Sequence, residues 1–286
     1  MNDNNPLGLV AGLSSDAHHA DPAIGASGLK LLKRSPLHYW AQYVDPARER
    51  TEPTAAMKLG TAFHCRLFEP MEFDQRFAVL PEGLDRRTKE GKQLWADVEA
   101  SGKTPVNAGD AETIERMVSA AMVHPISQVA LALPARIEVS MFARLHGVRV
   151  KARPDFLVTP CPQFPNGLIV DGKSANDGSP EGFAKAVWNL DYHLQASVYT
   201  QVVQQVLDTA GRPLFCWLVQ ESASPWATAW YSAGDDLIEH GDREVRRLLA
   251  LFADCVTRNR WPGYPETVAP IAMPAWAQKQ MADAAA

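Results

Sequence analysis

The sequence of 286 residues lacks any long run of apolar residues. A membrane-spanning helix needs about 20 predominantly apolar residues, so we expect no membrane span. Residues 1–16 are polar and lack the basic and then apolar pattern of a secretory signal. From these two absences we predict a cytoplasmic protein without a membrane partner.

Paired cysteines and an excess of basic residues are also missing. The four cysteines form no Cys-x-x-Cys pair, which argues against a zinc site or a disulfide framework. They are Cys65, Cys161, Cys216 and Cys255. The net charge of -5 argues against a protein that coats nucleic acid by charge alone. This net charge does not exclude a local basic groove for DNA beside a site where carboxylates bind a divalent metal.

The remaining composition, 46% hydrophobic and 21% charged, is that of an ordinary globular protein. We predict a disordered tail over residues 1–23, one folded domain over residues 24–262 and a C-terminal tail over residues 263–286. The domain divides into a mainly helical part, residues 24–134, and an α/β core, residues 135–262.

Helix caps and apolar spacing predict the helical part. Thr54, for example, is a candidate N-cap for a helix in which Phe63 and Leu67 recur at helical spacing. The predicted helices cover residues 28–34, 37–44, 55–69, 88–100 and 111–131, the last with an interruption at Pro125.

The core is predicted to alternate strands with helices. Strands over residues 136–144 and 148–159 form a hairpin across His146-Gly147. Further strands are predicted over residues 168–173, 214–221 and 227–232, and helices over residues 183–190, 192–210 and 237–258. This order predicts an α/β fold with a mixed central β-sheet flanked by helices.

Two carboxylates and a lysine form the candidate chemical centre. Asp171 and Lys173 are two residues apart on one predicted strand, so their side chains point to the same face. Asp155 follows Pro154 on the preceding strand, and if these strands are neighbours, Asp155 and Asp171 can hold one divalent ion. Carboxylate oxygens suit Mg²⁺ or Mn²⁺. Such an ion activates water and stabilises phosphoryl charge, while Lys173 would orient or deprotonate the water.

The acid-x-Lys spacing alone is a weak signal. Glu90-Gly91-Lys92 has the same spacing, but it lies in a polar segment that is predicted to be helical. The copy at Asp171 follows an apolar strand, and we therefore prefer it as the catalytic one.

Residues 167–174 also fit the phosphate-binding pattern G-x-x-x-x-G-K-[ST]. A P-loop follows a strand and opens into a helix, whereas here the variable positions are themselves apolar and strand-like. No helix start follows until after Pro180. A P-loop NTPase is therefore the remote alternative, and we expect no bound nucleotide.

Further residues resemble the RecB-like nucleases of the PD-(D/E)xK superfamily. The segment Gly60-Thr61-Ala62-Phe63-His64 resembles the helix that supplies a metal-ligand histidine in that group. Gln195 and Tyr199 match the Gln-x-x-x-Tyr signature that follows the acid-x-Lys strand, and both lie on one helix face. The order His, Pro-Asp, Asp-x-Lys, Gln-x-x-x-Tyr also agrees with the group.

More closely, residues 24–260 resemble the RecE-type nuclease domain, the exodeoxyribonuclease VIII family of phages and prophages. The matching segments are residues 27–30, 35–40, 60–70, 137–140 and 153–155. The resemblance implies a restriction-endonuclease-like core and a Mg²⁺-dependent exonuclease. Such enzymes degrade linear double-stranded DNA from 5′ ends and leave 3′ single strands for recombination. It also implies a homo-oligomeric ring around DNA and a RecT-type single-strand annealing partner.

The resemblance assigns roles only to the positions that match. His64, Asp155 and Asp171 would be metal ligands and Lys173 catalytic. Gln195 and Tyr199 would support the catalytic site or the DNA. Candidate accessory residues are Glu138 and Ser174, and candidate DNA contacts are Arg86, Arg87 and Arg153.

Some relatives carry an iron–sulfur cluster, with a cysteine at the position that Ser35 occupies here. Because the four cysteines of this chain are scattered, we predict no cluster. The basic cluster of Lys30, Lys33 and Arg34 is interpreted as a solvated face.

Two other functions on the same fold stay open. A structure-specific or complex-associated endonuclease of DNA repair would cut closed circles or need a helicase partner. A non-catalytic DNA-binding protein would keep the fold alone. The complete set of Asp155, Asp171 and Lys173 argues against the second, because a retired site need not keep all three.

Overall fold

The computed structural model describes residues 6–48, 52–85 and 87–284. The helices are α1 (Ser15–Ala20), α2 (Ala26–Arg34), α3 (Pro36–Tyr43), α4 (Ala55–Phe68), α5 (Pro70–Arg76), α6 (Lys89–Ala100), α7 (Ala108–Val123), α8 (Pro125–Ala130), α9 (Pro180–Asn189), α10 (Tyr192–Leu207), α11 (Asp235–Arg258) and α12 (Ala275–Ala284). The strands are β1 (Gly8–Val10), β2 (Phe77–Val79), β3 (Thr104–Val106), β4 (Arg136–Ile137), β5 (Ser140–Leu145), β6 (Val148–Ala152), β7 (Phe156–Val158), β8 (Leu168–Ala175), β9 (Leu214–Glu221) and β10 (Thr228–Ser232).

The central sheet has five strands in the order β10-β9-β8-β7-β4. β8 and β9 run parallel, and the other neighbours are antiparallel. The predicted α/β fold with a mixed central sheet is therefore confirmed. A second sheet has the order β1-β5-β6, and β2 pairs with β3 in a parallel pair of its own.

Alternate residues of the central strands face opposite layers of helices, as the two-residue period of a strand requires. Ile169 of β8 faces one layer and packs with residues of α10 and α11, such as Val198 and Leu248. Its neighbour Val170 faces the other layer and packs against Phe63 of α4. The catalytic candidates on β8 thus lie in the middle of a three-layer structure.

The predicted helix boundaries agree closely with the structure where a cap defines them. The Thr54 hydroxyl accepts a hydrogen bond from the backbone N–H of Met57 at the start of α4. Ser35 caps α3, where Pro36 takes the first position. Pro125 separates α7 from α8 as predicted, because proline cannot donate the backbone hydrogen bond of a continuing helix.

The two long strands predicted over residues 136–144 and 148–159 are wrong in one respect, since each is divided in two. Glu138 interrupts the first with a φ of 48°, and Pro154 lies in the break of the second. β5 and β6 form the predicted hairpin in the second sheet, while β4 and β7 join the central sheet. Asp155 consequently lies at the junction of the two sheets.

The expected disordered tail over residues 1–23 is wrong for the described residues. β1 pairs with β5, and α1 follows it. The Lys151 ammonium donates hydrogen bonds to the carbonyls of His18, His19 and Asp21, at 2.6, 3.1 and 2.8 Å. A buried ammonium needs such acceptors. These hydrogen bonds attach the N-terminal segment to β6, the strand that carries Lys151. The polar composition of the segment suggested disorder. The sequence could not reveal its order, because its partners on β5 and β6 are remote in sequence.

At the other end, residues 263–274 have no regular secondary structure, and α12 follows them. The sequence pattern predicted a tail without this helix. Among the described residues, no helix combines the length and the apolar character needed to cross a membrane.

Candidate active site

The candidate site lies in a cleft of about 1460 Å³. α2, α4 and α10 contribute to its walls, and the junction of the two sheets forms part of its floor. Of the candidate residues, those that line it are His64, Glu138, Arg153, Asp155, Ser174, Gln195 and Tyr199.

Asp155 and Asp171 are neighbours because β7 and β8 are paired. The register places Phe156 opposite Val170, so the residue before Phe156 lies beside the residue after Val170. Asp155 is 8% exposed and Asp171 1% exposed. The strand pairing that the sequence left conditional is thus present.

Asp155 is held from two sides. Its Oδ2 accepts a hydrogen bond from the backbone N–H of Gly172 at 2.8 Å. The same oxygen lies 3.2 Å from Nδ1 of His64, which α4 brings in from above β8. The predicted order of motifs therefore converges in space, with His64 beside the Pro-Asp carboxylate.

Asp171 is paired with the two polar residues that the signature places around it. Lys173 forms an ion pair with its Oδ2. Nε2 of Gln195 donates a hydrogen bond to its Oδ1 at 2.6 Å. Tyr199, one turn further along α10, lines the same cleft as Gln195. This arrangement connects the Gln-x-x-x-Tyr helix directly to the acid-x-Lys strand.

The charges of the site compensate one another although each is buried. Burial would raise the pKa of Asp155, but His64, Lys173 and the Gly172 N–H hold that pKa below its usual value. For Asp171, burial and the nearby Asp155 charge raise the pKa despite Lys173. Burial would lower the pKa of Lys173, yet the two carboxylates raise it. Lys173 is consequently a cation, available to stabilise negative charge.

His64, Glu138 and Asp155 offer one nitrogen and two carboxylate oxygens within 4.8 Å of one another. Asp171, which the resemblance predicts to be a metal ligand with His64 and Asp155, contacts Lys173 and Gln195. Burial raises the pKa of Glu138 to about 7, and repulsion from the Asp155 carboxylate contributes to the same shift. A divalent cation would relieve that repulsion, so the donor set fits Mg²⁺ or Mn²⁺.

The three arginines expected to contact DNA have different surroundings. Arg153 Nε donates to Glu138 at 2.8 Å, and its Nη1 donates to Ser140 and to the carbonyl of Leu13. It therefore orients a carboxylate of the site. Arg87 is exposed and pairs with Asp85. Arg86 lies outside the described residues.

Lys30 of α2 is a residue of this site that the sequence reasoning missed. Burial and then the neighbouring Lys173 charge lower its pKa to about 8. Its ammonium lies 4.9 Å from the centre of the Tyr192 ring, and that of Lys173 lies 4.8 Å from the same centre. Within the described ranges, no carboxylate or hydrogen-bond acceptor pairs with Lys30. The sequence did contain a signal for Lys30, because it falls in residues 27–30, one of the segments that resemble the RecE-type nuclease domain.

Two glycines allow α4 to approach β8. A Cβ at Gly172 would lie 2.9 Å from the Phe68 ring and 3.2 Å from Nε2 of His64. A Cβ at Gly60 would lie 3.2 Å from the Ser174 hydroxyl. The glycine between Asp171 and Lys173 therefore sets the distance from the histidine helix to the catalytic strand.

The pattern that resembled a P-loop is strand β8 itself, in the centre of the sheet. A P-loop is a loop that cradles phosphate before a helix. The geometry contradicts the NTPase alternative.

The fold and the site together define a PDDEXK-like protein with the restriction-endonuclease-like architecture. The chain belongs to DUF3799, described as a PDDEXK-like domain of unknown function, whose family model matches residues 25–272. Among curated proteins, no sequence matches the chain.

Solved structures give a similar result for the fold. A structure from Eubacterium rectale named "Putative exonuclease" has a TM-score of 0.59 at 15% identity and covers 93% of this chain and 97% of its own. A structure named SSO0001 covers 78% of this chain and 84% of its own, at 13% identity and a TM-score of 0.31. The first similarity supports the fold, and the second carries no argument.

Proposed function

We propose that the protein is a metal-dependent DNA exonuclease that hydrolyses phosphodiester bonds at the ends of linear double-stranded DNA. The observation that carries the proposal is the contact of His64 with Asp155 in the cleft, beside the Asp171–Lys173 ion pair on the neighbouring strand. A buried lysine beside two carboxylates is expected where negative charge develops during a reaction. Lys30 supports a phosphate-containing substrate, because its ammonium has no ion-pair partner among the described residues and would gain an anionic one on binding.

Each residue has a separate task in this proposal. His64, Asp155 and Glu138 would hold Mg²⁺, or Mn²⁺ in its place. The bound metal would supply an activated water and Lewis-acid stabilisation of the phosphate. Asp171, fixed by Gln195, positions the Lys173 ammonium. Lys173 orients the attacking water and offsets the charge that develops on the phosphate.

The remaining parts of the proposal are supported by the RecE-type resemblance. They are degradation in the 5′ to 3′ direction, 3′ single strands as products for annealing, a homo-oligomeric ring, a RecT-type partner and a cytoplasmic location.

Incubation of the full chain with covalently closed and linear duplexes of the same sequence tests the exonuclease proposal. We expect loss of the linear DNA only, in the presence of Mg²⁺. Labels at the 5′ and 3′ ends would report direction, with early release of the 5′ label expected. Cutting of the closed circle would favour the endonuclease alternative and overturn the exonuclease proposal.

A further inference from the structure

A second group of metal-ligating side chains lies where α10 crosses α11. His193 is on α10, and His240 and Glu244 are one turn apart on α11. One nitrogen or oxygen of each lies within 4.8 Å of the others. His193 precedes Gln195 by two residues, which on a helix is a rotation of about 200°. The group therefore faces away from the carboxylates that hold the catalytic centre.

The distances within the group suit convergence on one ion. Nε2 of His193 lies 2.8 Å from Oε2 of Glu244, and Nε2 of His240 lies 3.8 Å from the same oxygen. In a tetrahedral zinc site the metal–ligand bonds are about 2.0–2.1 Å long. The distance between two neighbouring donor atoms then lies between the two values found here. Small rotations of the partly exposed His240 and of Glu244 would close the coordination.

The chemistry of the donors favours a transition metal. Two imidazoles and one carboxylate are a common zinc set with an open fourth position, and imidazole also suits Ni²⁺ and Cu²⁺. A His and a Glu four residues apart share one helix face. The His193 ring is fully buried, and its Nδ1 has no hydrogen-bond partner in the described part of the chain. The ion would bind His193 through Nε2, the nitrogen that faces Glu244, and Nδ1 takes no part in the coordination.

Lys33 of α2 competes with an ion for Glu244, and Arg247 Nη2 lies 3.9 Å from Oε1 of the same residue. The Lys33 ammonium lies 3.0 Å from Oε2 of Glu244 and 2.7 Å from Oδ1 of Asp191. Asp191 can keep the shorter of these bonds when Glu244 turns to a metal. The carboxylate of Glu244 is therefore shared between a lysine and a potential ion.

We propose that His193, His240 and Glu244 bind one Zn²⁺-class transition-metal ion that fastens α10 to α11. α10 also carries Gln195 and Tyr199, so the ion would stabilise the helix that positions Asp171. A water would take the fourth position, and the ion would act on the packing of α10 against α11, independently of the divalent ion of the catalytic centre.

Trp188 provides a local reporter of the site. Its ring stacks on His193 with centroids 5.5 Å apart and lies 5.3 Å from His240. Ni²⁺ bound between the two imidazoles should quench its fluorescence. Trp188→Phe should remove that part of the quenching without removing the ion.

The test is a Zn²⁺ titration of the untagged full chain by calorimetry and thermal unfolding. The His64→Ala background weakens metal binding at the catalytic centre. In it we expect one Zn²⁺ to bind and to raise the Tm, because a ligand specific for the folded state stabilises it. Adding His240→Ala, a partly exposed position, should weaken binding by about tenfold or more.

Lys33→Met tests the competition separately. Removing the ammonium from Glu244 should tighten Zn²⁺ binding in the His64→Ala background. Equal Zn²⁺ affinity with and without His240→Ala would overturn the proposed site. Unchanged or weaker affinity in Lys33→Met would overturn the assignment of Glu244 as a ligand.

Discussion

At the scale of single residues, the site depends on pairs that are buried together. Asp171 is 1% exposed and has Lys173 and Gln195 as its partners. Removing one partner of a buried ion pair is costly, because the other charge stays in a medium of low polarity. The same contacts that prepare the site for reaction therefore also affect the stability of the protein.

Lys173→Met should abolish cleavage and also lower the free energy of unfolding. We expect a loss of about 3–5 kcal/mol in excess chelator, the usual cost of an unpaired buried charge. Asp171→Asn combined with Lys173→Met should recover most of the lost stability while cleavage stays absent. Urea unfolding of the two variants and the wild type measures this. A double variant as unstable as Lys173→Met would contradict the pairing.

Lys30→Met should weaken DNA binding more than it slows the reaction. The partly buried ammonium forms no ion pair with a carboxylate of the described residues, and a phosphate would supply such a partner. We expect a higher KM, a smaller change in kcat and a salt dependence of binding that is lower by about one phosphate contact. Exposed Lys185 on α9 provides the control variant, Lys185→Met, which should leave all three unchanged. A fall in kcat at constant KM would contradict a binding role.

The candidate site was predictable from the sequence where each residue carried its own local signal. Asp171, Lys173, Gln195 and Tyr199 had fixed spacings on a strand and a helix. Two contacts were not predictable in the same way. They are the approach of Glu138 to Asp155 and the hydrogen bond from Arg153 to Glu138. Their positions follow from the break at Glu138, where β5 leaves the line of β4 for another sheet. Lys30 depends on how α2 packs, which no local pattern encodes.

At the scale of the elements, the close approach of α4 to β8 connects fold to chemistry. Gly172→Ala would place a methyl group against Phe68 and His64. α4 would have to move away from β8, and His64 from Asp155. We expect a loss of about 1–3 kcal/mol of stability. Activity should fall roughly 10- to 100-fold, since a displacement of about 1 Å has that effect on catalysis.

The matched control is Gly109→Ala in the first turn of α7. A Cβ there meets only the Asn107 side chain, at an ordinary 3.4 Å. Initial cleavage rates and thermal unfolding compare the two variants. Equal activity of Gly172→Ala and Gly109→Ala would show that the α4–β8 distance does not control the site.

Capped helices and the apolar strands β8 and β9 were predictable because their signals are local. The strand breaks at Glu138 and Pro154 and the pairing of β1 with β5 depend on contacts between remote segments. The sequence did not predict β2 and β3, because each has three residues and little pattern of its own.

At the scale of the whole molecule, the N-terminal segment covers one side of the second sheet. His18 is 5% exposed and packs against Phe142, with ring centroids 5.8 Å apart. Burial, aided by Lys151, lowers its pKa to about 3. The imidazole is thus kept neutral in the folded protein at pH values where it is charged in the unfolded chain.

This difference predicts an acid sensitivity. Because the folded pKa is depressed, the contribution to stability is complete above about pH 6.5 and is lost as the pH falls toward about 3. His18→Gln should therefore lose less stability than the wild type between about pH 7 and pH 4. Urea unfolding at both pH values measures the difference. His146→Asn, at an exposed histidine of the hairpin turn, should behave as the wild type does.

The central claim is that one metal-binding centre, with Asp155 at its middle, cleaves DNA. The most direct measurement is the cleavage of an end-labelled linear duplex by the wild type in Mg²⁺, by the wild type in excess chelator and by Asp155→Asn in Mg²⁺. Asparagine keeps an oxygen for the Gly172 N–H, and circular dichroism would verify folding. We expect cleavage by the wild type in Mg²⁺ and by neither of the other two samples. Cleavage in chelator, or by folded Asp155→Asn at the wild-type rate, would contradict it.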